Sequence, residues 1–158
     1  MKRACIALFL GVLAVAGPAS AAGTPFRLAN TDGSLWVSPG GFAGRPSLFL
    51  FWDTECAPCL RELADMANLK TAFPDAVFVV VSLSPRDDTR RALGEYGVPS
   101  DVVRAQAPVN PRGLLASIGN RAGTLPFSAA FDGQGRLCAS GTGALTRERL
   151  RAIATMCR

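Results

Sequence analysis

The chain has 158 residues, of which 49% are hydrophobic and 18% charged. That composition excludes a disordered or fibrous chain and suits one domain with a sizeable core. The formal net charge of +5 comes mostly from dispersed arginines, with no histidine in the chain. No basic stripe is interleaved with aromatics, so a nucleic acid is not an expected partner.

Residues 1–22 read as a secretory signal peptide. Lys2 and Arg3 form a charged start, residues 4–16 are apolar, Gly17 and Pro18 break the run, and Ala19, Ser20, Ala21 and Ala22 offer a small-residue cleavage site. The apolar run is short for a membrane span. If it stayed uncleaved, it would tether the domain to the membrane instead. The expected domain is residues 23–158, exported to the periplasm. Cys5 lies inside the signal segment and should be lost with it.

Residues 26–30 and 35–38 flank Asp32 and Gly33, a strong turn signal, and predict a short N-terminal hairpin. A Gly-rich loop leads to residues 47–52, an apolar, aromatic run that predicts a buried strand. Leu60, Leu63, Met66, Ala67 and Leu69 then recur at helical spacing, predicting one helix over residues 56–72 that stops before Pro74. Residues 76–83 form a second buried strand, which makes a strand–helix–strand unit with parallel strands. A polar helix follows over 87–96, then an irregular stretch with a brief strand at Val102 and Val103. A short helix is expected over 111–118, capped by Asn110. Residues 127–131 and 136–142 form strands around a turn at Asp132-Gly133-Gln134-Gly135. A last amphipathic helix runs over 146–156, capped by Thr146, with Leu150, Ile153 and Ala154 inward. The arginine clusters Arg86, Arg90, Arg91 and Arg147, Arg149, Arg151 read as solvated helix faces.

The chemistry concentrates where the first buried strand hands over to its helix, at Cys56-Ala57-Pro58-Cys59. At a helix mouth the free backbone N–H groups and the helix dipole favour a thiolate, which makes Cys56 the nucleophile. Cys59, one turn on, can close a disulfide with it. Pro58 stiffens the loop, since its missing N–H costs nothing in the first turn. Glu62, three residues beyond Cys59, can exchange a proton with the thiols. Zinc is disfavoured, because the chain has no histidine and no second Cys-x-x-Cys. No metal or other cofactor is expected.

Trp52, Cys56-Ala57-Pro58-Cys59 and Glu62 together resemble the bacterial thioredoxin-like thiol–disulfide oxidoreductases of the TlpA/ResA type. The opening Phe26-x-Leu28-x-x-x-Asp32-Gly33 extends the likeness. Glu55 departs from it, standing where the family carries a second tryptophan. Its carboxylate should disfavour the Cys56 thiolate. The resemblance implies an α/β, thioredoxin-like fold: a central mixed β-sheet flanked by helices, with an N-terminal β-hairpin. It also implies a cis bond before Pro126 facing the cysteines, and a substrate groove lined by Trp52, Glu55, Ala57, Pro58 and Leu125. The buried aspartate of ordinary thioredoxins is replaced by Leu50, which leaves the proton work to Glu62.

Export leaves four cysteines in an oxidising compartment. Cys138, in the last strand, and Cys157, at the end of the last helix, are expected to meet as a structural disulfide, with two separate thiols as the alternative. The function expected is reduction of envelope-protein disulfides through Cys56 and Cys59, fed by a membrane thiol-transfer protein. The alternatives are an oxidase using the same pair, a copper-binding or delivery module, and a binding module that keeps the fold as a scaffold.

Overall fold

The computed structural model describes residues 26–158. The expected signal peptide and Cys5 lie outside the described residues. β3 (Ser47–Trp52) is the axis of the fold, and all six of its residues are buried. It pairs in parallel with β4 (Val77–Ser82) on one side and antiparallel with β6 (Phe127–Phe131) on the other. β5 (Val103–Gln106) continues the parallel ladder beyond β4, and β7 (Leu137–Thr142) closes the other edge against β6. The hairpin of β1 (Leu28–Asn30) and β2 (Trp36–Val37) docks antiparallel on β5. The result is a seven-stranded mixed sheet in the order β2-β1-β5-β4-β3-β6-β7.

Alternation along the buried strands divides the apolar side chains between two cores. Leu48, Leu50 and Trp52 face α1 (Ala57–Ala64), α2 (Met66–Lys70) and α5 (Arg147–Met156), together with Ala92 and Leu93 of α3 (Arg86–Glu95). Phe49 and Phe51 face the other way, toward Leu115 of α4 (Arg112–Ser117) and the adjoining Ile118. Phe49 stands edge-on to Phe26 and Phe131, with ring centroids 5.2 Å and 5.5 Å away. Helices therefore cover both faces, as expected.

Three local expectations need correction. The helix expected over 56–72 is broken at Asp65, which has φ −95 and ψ 6 and serves as the end of α1 and the start of α2. Leu63, Met66 and Leu69 are all buried, so the apolar period runs straight through the break. Asp65, a weak helix-interior residue, stands at the break, and its carboxylate accepts from the Asn68 side chain at 3.3 Å. The brief strand expected at Val102 and Val103 is instead the four residues of β5, whose single fully buried side chain, Ala105, gives almost no apolar signal. Asn110 sits one residue before the cap position of α4, which Pro111 occupies, although its Oδ1 accepts from the Arg112 N–H at 3.4 Å.

Thr146 does cap α5, accepting from the Arg149 N–H at 3.1 Å. Cys138 and Cys157 are joined in a disulfide that ties α5 to β7 across 19 residues. Closing a loop of that size restricts the unfolded chain. Replacing both cysteines by alanine is therefore expected to lower the unfolding free energy by about 2–4 kcal/mol. Guanidinium denaturation of the protein with Cys56–Cys59 kept oxidised reads this directly, and an unchanged midpoint would contradict it.

Candidate active site

The redox turn is the short crossing from β3 to α1. Asp53 shapes it twice: its carbonyl accepts from the Cys56 N–H at 3.1 Å, and its Oδ1 accepts from the Glu55 N–H at 2.9 Å. Thr54 ties the turn to the end of β4, since its N–H donates to Ser84 Oγ at 2.8 Å. Ser84 is buried and belongs to a hydroxyl network: its N–H donates to Ser82 Oγ, which lies 2.6 Å from Thr89 Oγ1. Gln106 Nε2 donates to the carbonyls of Ser82 and Ser84. In the sequence, Ser82 and Ser84 read as a strand end, Thr89 as part of a polar helix and Gln106 as part of an irregular stretch. The signal was there in three closely spaced hydroxyl residues, Ser82, Ser84 and Thr89, after an apolar run.

Cys56 occupies the N-cap of α1, and its sulfur accepts from the Cys59 N–H at 3.3 Å. Cys56 is half-buried, while Cys59 is fully buried and bonded to it in a disulfide. Pro58 lies in the first helical turn. When the pair is reduced, the cap N–H and the helix dipole act on the Cys56 sulfur and favour its charged form. One sulfur thus meets solvent and the other is shielded behind it.

Glu62 lies one turn beyond Cys59 and is only 4% exposed. Its Oε1 accepts from the Leu145 N–H, and its Oε2 has no partner among the described residues. Burial pushes its carboxyl up to about 7, opposed by the Leu145 N–H and by the charge of Arg149. A cleft of about 290 Å³ lined by Pro58, Arg61, Glu62, Asp65, Leu69 and Leu145 opens beside it. A larger cleft, about 580 Å³, lies between α3 and the β1–β5 edge and includes none of the redox residues.

Of the other expected site residues, Glu55 and Ala57 are exposed beside Cys56, and Pro58 is half-buried. The Leu125–Pro126 peptide bond is cis. Phe127 pairs with Phe51, which sets Pro126 at the end of the sheet that carries Cys56. Leu125 is half-buried against both cores. Trp52 is a correction. It has no exposed surface and packs among Leu50, Leu63 and Met66, so it supports the turn from beneath and lines no groove. Alternation along β3 turns its ring inward. Arg149 and Leu145, the partners of Glu62, were not legible as site residues.

Among the described residues no group of three or more His, Cys, Asp or Glu side chains stands close enough to hold a metal ion. No helix among them is long and apolar enough to cross a membrane.

The sequence matches the family described as SCO1/SenC over residues 15–102, more than half of the chain. Among curated proteins, none matches it. Among solved structures, the chain resembles dsbF of MTB, captured in mixed oxidized and reduced forms, with 20% identity and a TM-score of 0.65 over 84% of this chain and 94% of that one. It resembles a thiol:disulfide interchange protein of the thioredoxin family from Chlorobium tepidum TLS, with 19% identity and a TM-score of 0.63 over 84% and 92%. It also resembles the exposed lipoprotein thioredoxin Etrx1 of Streptococcus pneumoniae strain TIGR4, with 22% identity and a TM-score of 0.61 over 81% and 96%. At these identities the likeness is one of fold. The chain has the thioredoxin-like fold expected from its sequence, with a Cys-x-x-Cys pair at the strand–helix handover.

The raised carboxyl of Glu62 has a signed consequence for stability. Unfolded, it titrates near 4.5; folded, near 7. Between those values the native state holds the extra proton, so stability falls as pH rises through the window. The full deficit, about 3 kcal/mol, is reached above the folded value. Glu62→Gln keeps an acceptor for the Leu145 N–H and removes the titration. Its stability advantage over the native sequence should grow by about that amount between pH 4 and pH 8. A constant difference across the range would contradict the assignment.

Proposed function

We propose that this chain, which belongs to the SCO1/SenC family, is a periplasmic thiol–disulfide oxidoreductase that reduces disulfides of envelope proteins. The observation that carries the reading is the pairing of a half-buried Cys56, whose sulfur takes a helix N–H, with a buried Cys59 one turn before a buried Glu62 whose carboxyl, raised to about 7, can take and return a proton. The charged sequence start and apolar run of residues 1–22 support export, and the Ala57-Pro58 dipeptide with the TlpA/ResA-type motif supports the reducing direction.

In the reaction, the Cys56 thiolate attacks one sulfur of a substrate disulfide. The Cys56–substrate bond forms, the substrate S–S bond breaks, and the first substrate thiolate leaves and takes a proton from solvent. Cys59 then gives its proton to the ionised form of Glu62, which a carboxyl titrating near 7 supplies at neutral pH, and its sulfur attacks Cys56 Sγ. The mixed disulfide breaks, and the second substrate thiolate leaves with that proton. Two electrons have passed to the substrate and the Cys56–Cys59 disulfide remains. A membrane thiol-transfer protein returns two electrons and two protons.

Copper delivery by the same pair is the rival. Soft thiolates suit Cu(I), yet the chain has no histidine, and Cys56 and Cys59 have no third clustered ligand among the described residues. Two variants and one titration separate the readings. Cys59→Ser should accumulate a mixed disulfide between Cys56 and a disulfide-containing peptide, visible by mass spectrometry. Cys56→Ser should form none and should lose peptide reduction. Reduction by Cys56→Ser at the native rate, or Cu(I) binding by the reduced protein tight enough to block its thiols, would overturn the proposal.

A further inference from the structure

The residues between β7 and α5 close a second circuit of hydrogen bonds around the redox turn. The Gly143 N–H donates to the Pro126 carbonyl at 2.9 Å, and the Leu145 N–H donates to Glu62 Oε1. One short segment thus touches both Pro126 and the buried carboxylate. Arg149 holds that segment in place. Its Nη1 donates to the carbonyl of Thr142 at 3.1 Å and to that of Gly143 at 3.0 Å. The Thr146 cap fixes the first turn of α5, from which Arg149 reaches back. Gly141 leaves room for the guanidinium, since a Cβ there would lie 2.5 Å from Arg149 Nη2. Gly143 itself adopts φ +88, a conformation that glycine takes without strain. The expectation of a solvated arginine face on α5 fails at this residue, which is half-buried; Arg147 is exposed, as expected, and its Nη1 donates to Asn68 Oδ1 at 2.9 Å.

We infer that Arg149 is a positioning residue of the redox site: by clamping residues 142–145 it keeps the Leu145 N–H on Glu62 and so governs how readily Glu62 takes the proton of Cys59. The inference rests on the redox reading above for the identity of the proton's source. The physical argument is local. A carboxylate in an apolar setting is neutral unless donors and cations hold its charged form. The donor here is a backbone N–H on a segment that contains Gly143 and Ala144, a flexible pair unless something fixes it. Arg149 fixes it with two bonds to consecutive carbonyls and adds its own positive charge. The other ionisable groups near Glu62 are Arg61 on the same helix and Asp65 at its end, which line the same cleft, and Cys59 once reduced. The residues lining the cleft from α2 and from the β7–α5 segment, Leu69, Ala144 and Leu145, carry no charge. Arg149 is therefore the cation supplied from outside α1.

The test uses the full chain and two readouts. The first is the titration of Glu62 in the oxidised protein, followed by carboxyl ¹³C NMR, which needs no turnover. The second is the pH profile of peptide-disulfide reduction. Arg149→Gln should move the Glu62 midpoint up by about one pH unit, and the profile should move with it. Arg149→Lys should recover most of the shift. In a Glu62→Gln background, Arg149→Gln should leave the profile unchanged. Gly141→Ala, which displaces the guanidinium without removing its charge, should give a smaller upward shift and serves if Arg149→Gln does not fold. A midpoint unmoved in these variants, or an equal change of profile without Glu62, would overturn the inference. If the midpoint moves as expected but the native protein fails to reduce the peptide, the clamp stands and the redox reading falls.

Discussion

The burial of β3 is the constraint on which everything else depends. All six of its residues are inside, and it is hydrogen-bonded along both edges. A strand held on both sides cannot slip without turning its apolar residues to the wrong face. Its last residue, Trp52, is locked in the α1 core, so the turn that begins at Asp53 starts from a fixed point. Cys56 inherits that precision. It caps α1 at the end of a turn that hydrogen bonds to Asp53 and Ser84 hold in place.

The site combines opposite environments within one helical turn of each cysteine. Cys56 sits at the positive end of α1, where a charged sulfur is favoured. Glu62 sits in the core side of the same helix, where a charge is disfavoured and the carboxyl holds its proton near neutrality. A buried carboxyl that titrates near neutrality is suited to take a proton from the buried Cys59 thiol and to return it. Placing a carboxyl in the core costs stability. The fold limits that cost with a backbone donor from Leu145 and a cation from Arg149.

Much of this was legible in the sequence because it depends on local pattern. β3 and β4 are continuous apolar runs, the redox pair stands between strand and helix signals, and Thr146 is a standard cap. What was not legible depends on contacts between distant residues. The break at Asp65 is invisible because the apolar period of Leu63, Met66 and Leu69 continues across it. Trp52 reads as part of a motif, and only the alternation of a doubly paired strand shows that it faces inward. Glu62 was recognisable from its spacing to Cys59, but its donor is 83 residues away and its cation lies on the last helix. Arg149 looks like any arginine on a charged helix until the chain is folded.

The central claim is that Cys56 and Cys59 form a redox pair poised to give electrons. Its most direct test is the equilibrium reduction potential of that pair in a Cys138→Ala/Cys157→Ala variant, measured against glutathione or dithiothreitol buffers. The account predicts a value near or below about −220 mV, that of a poor oxidant and a competent reductant. A value near about −120 mV would mark a strong oxidant and contradict it.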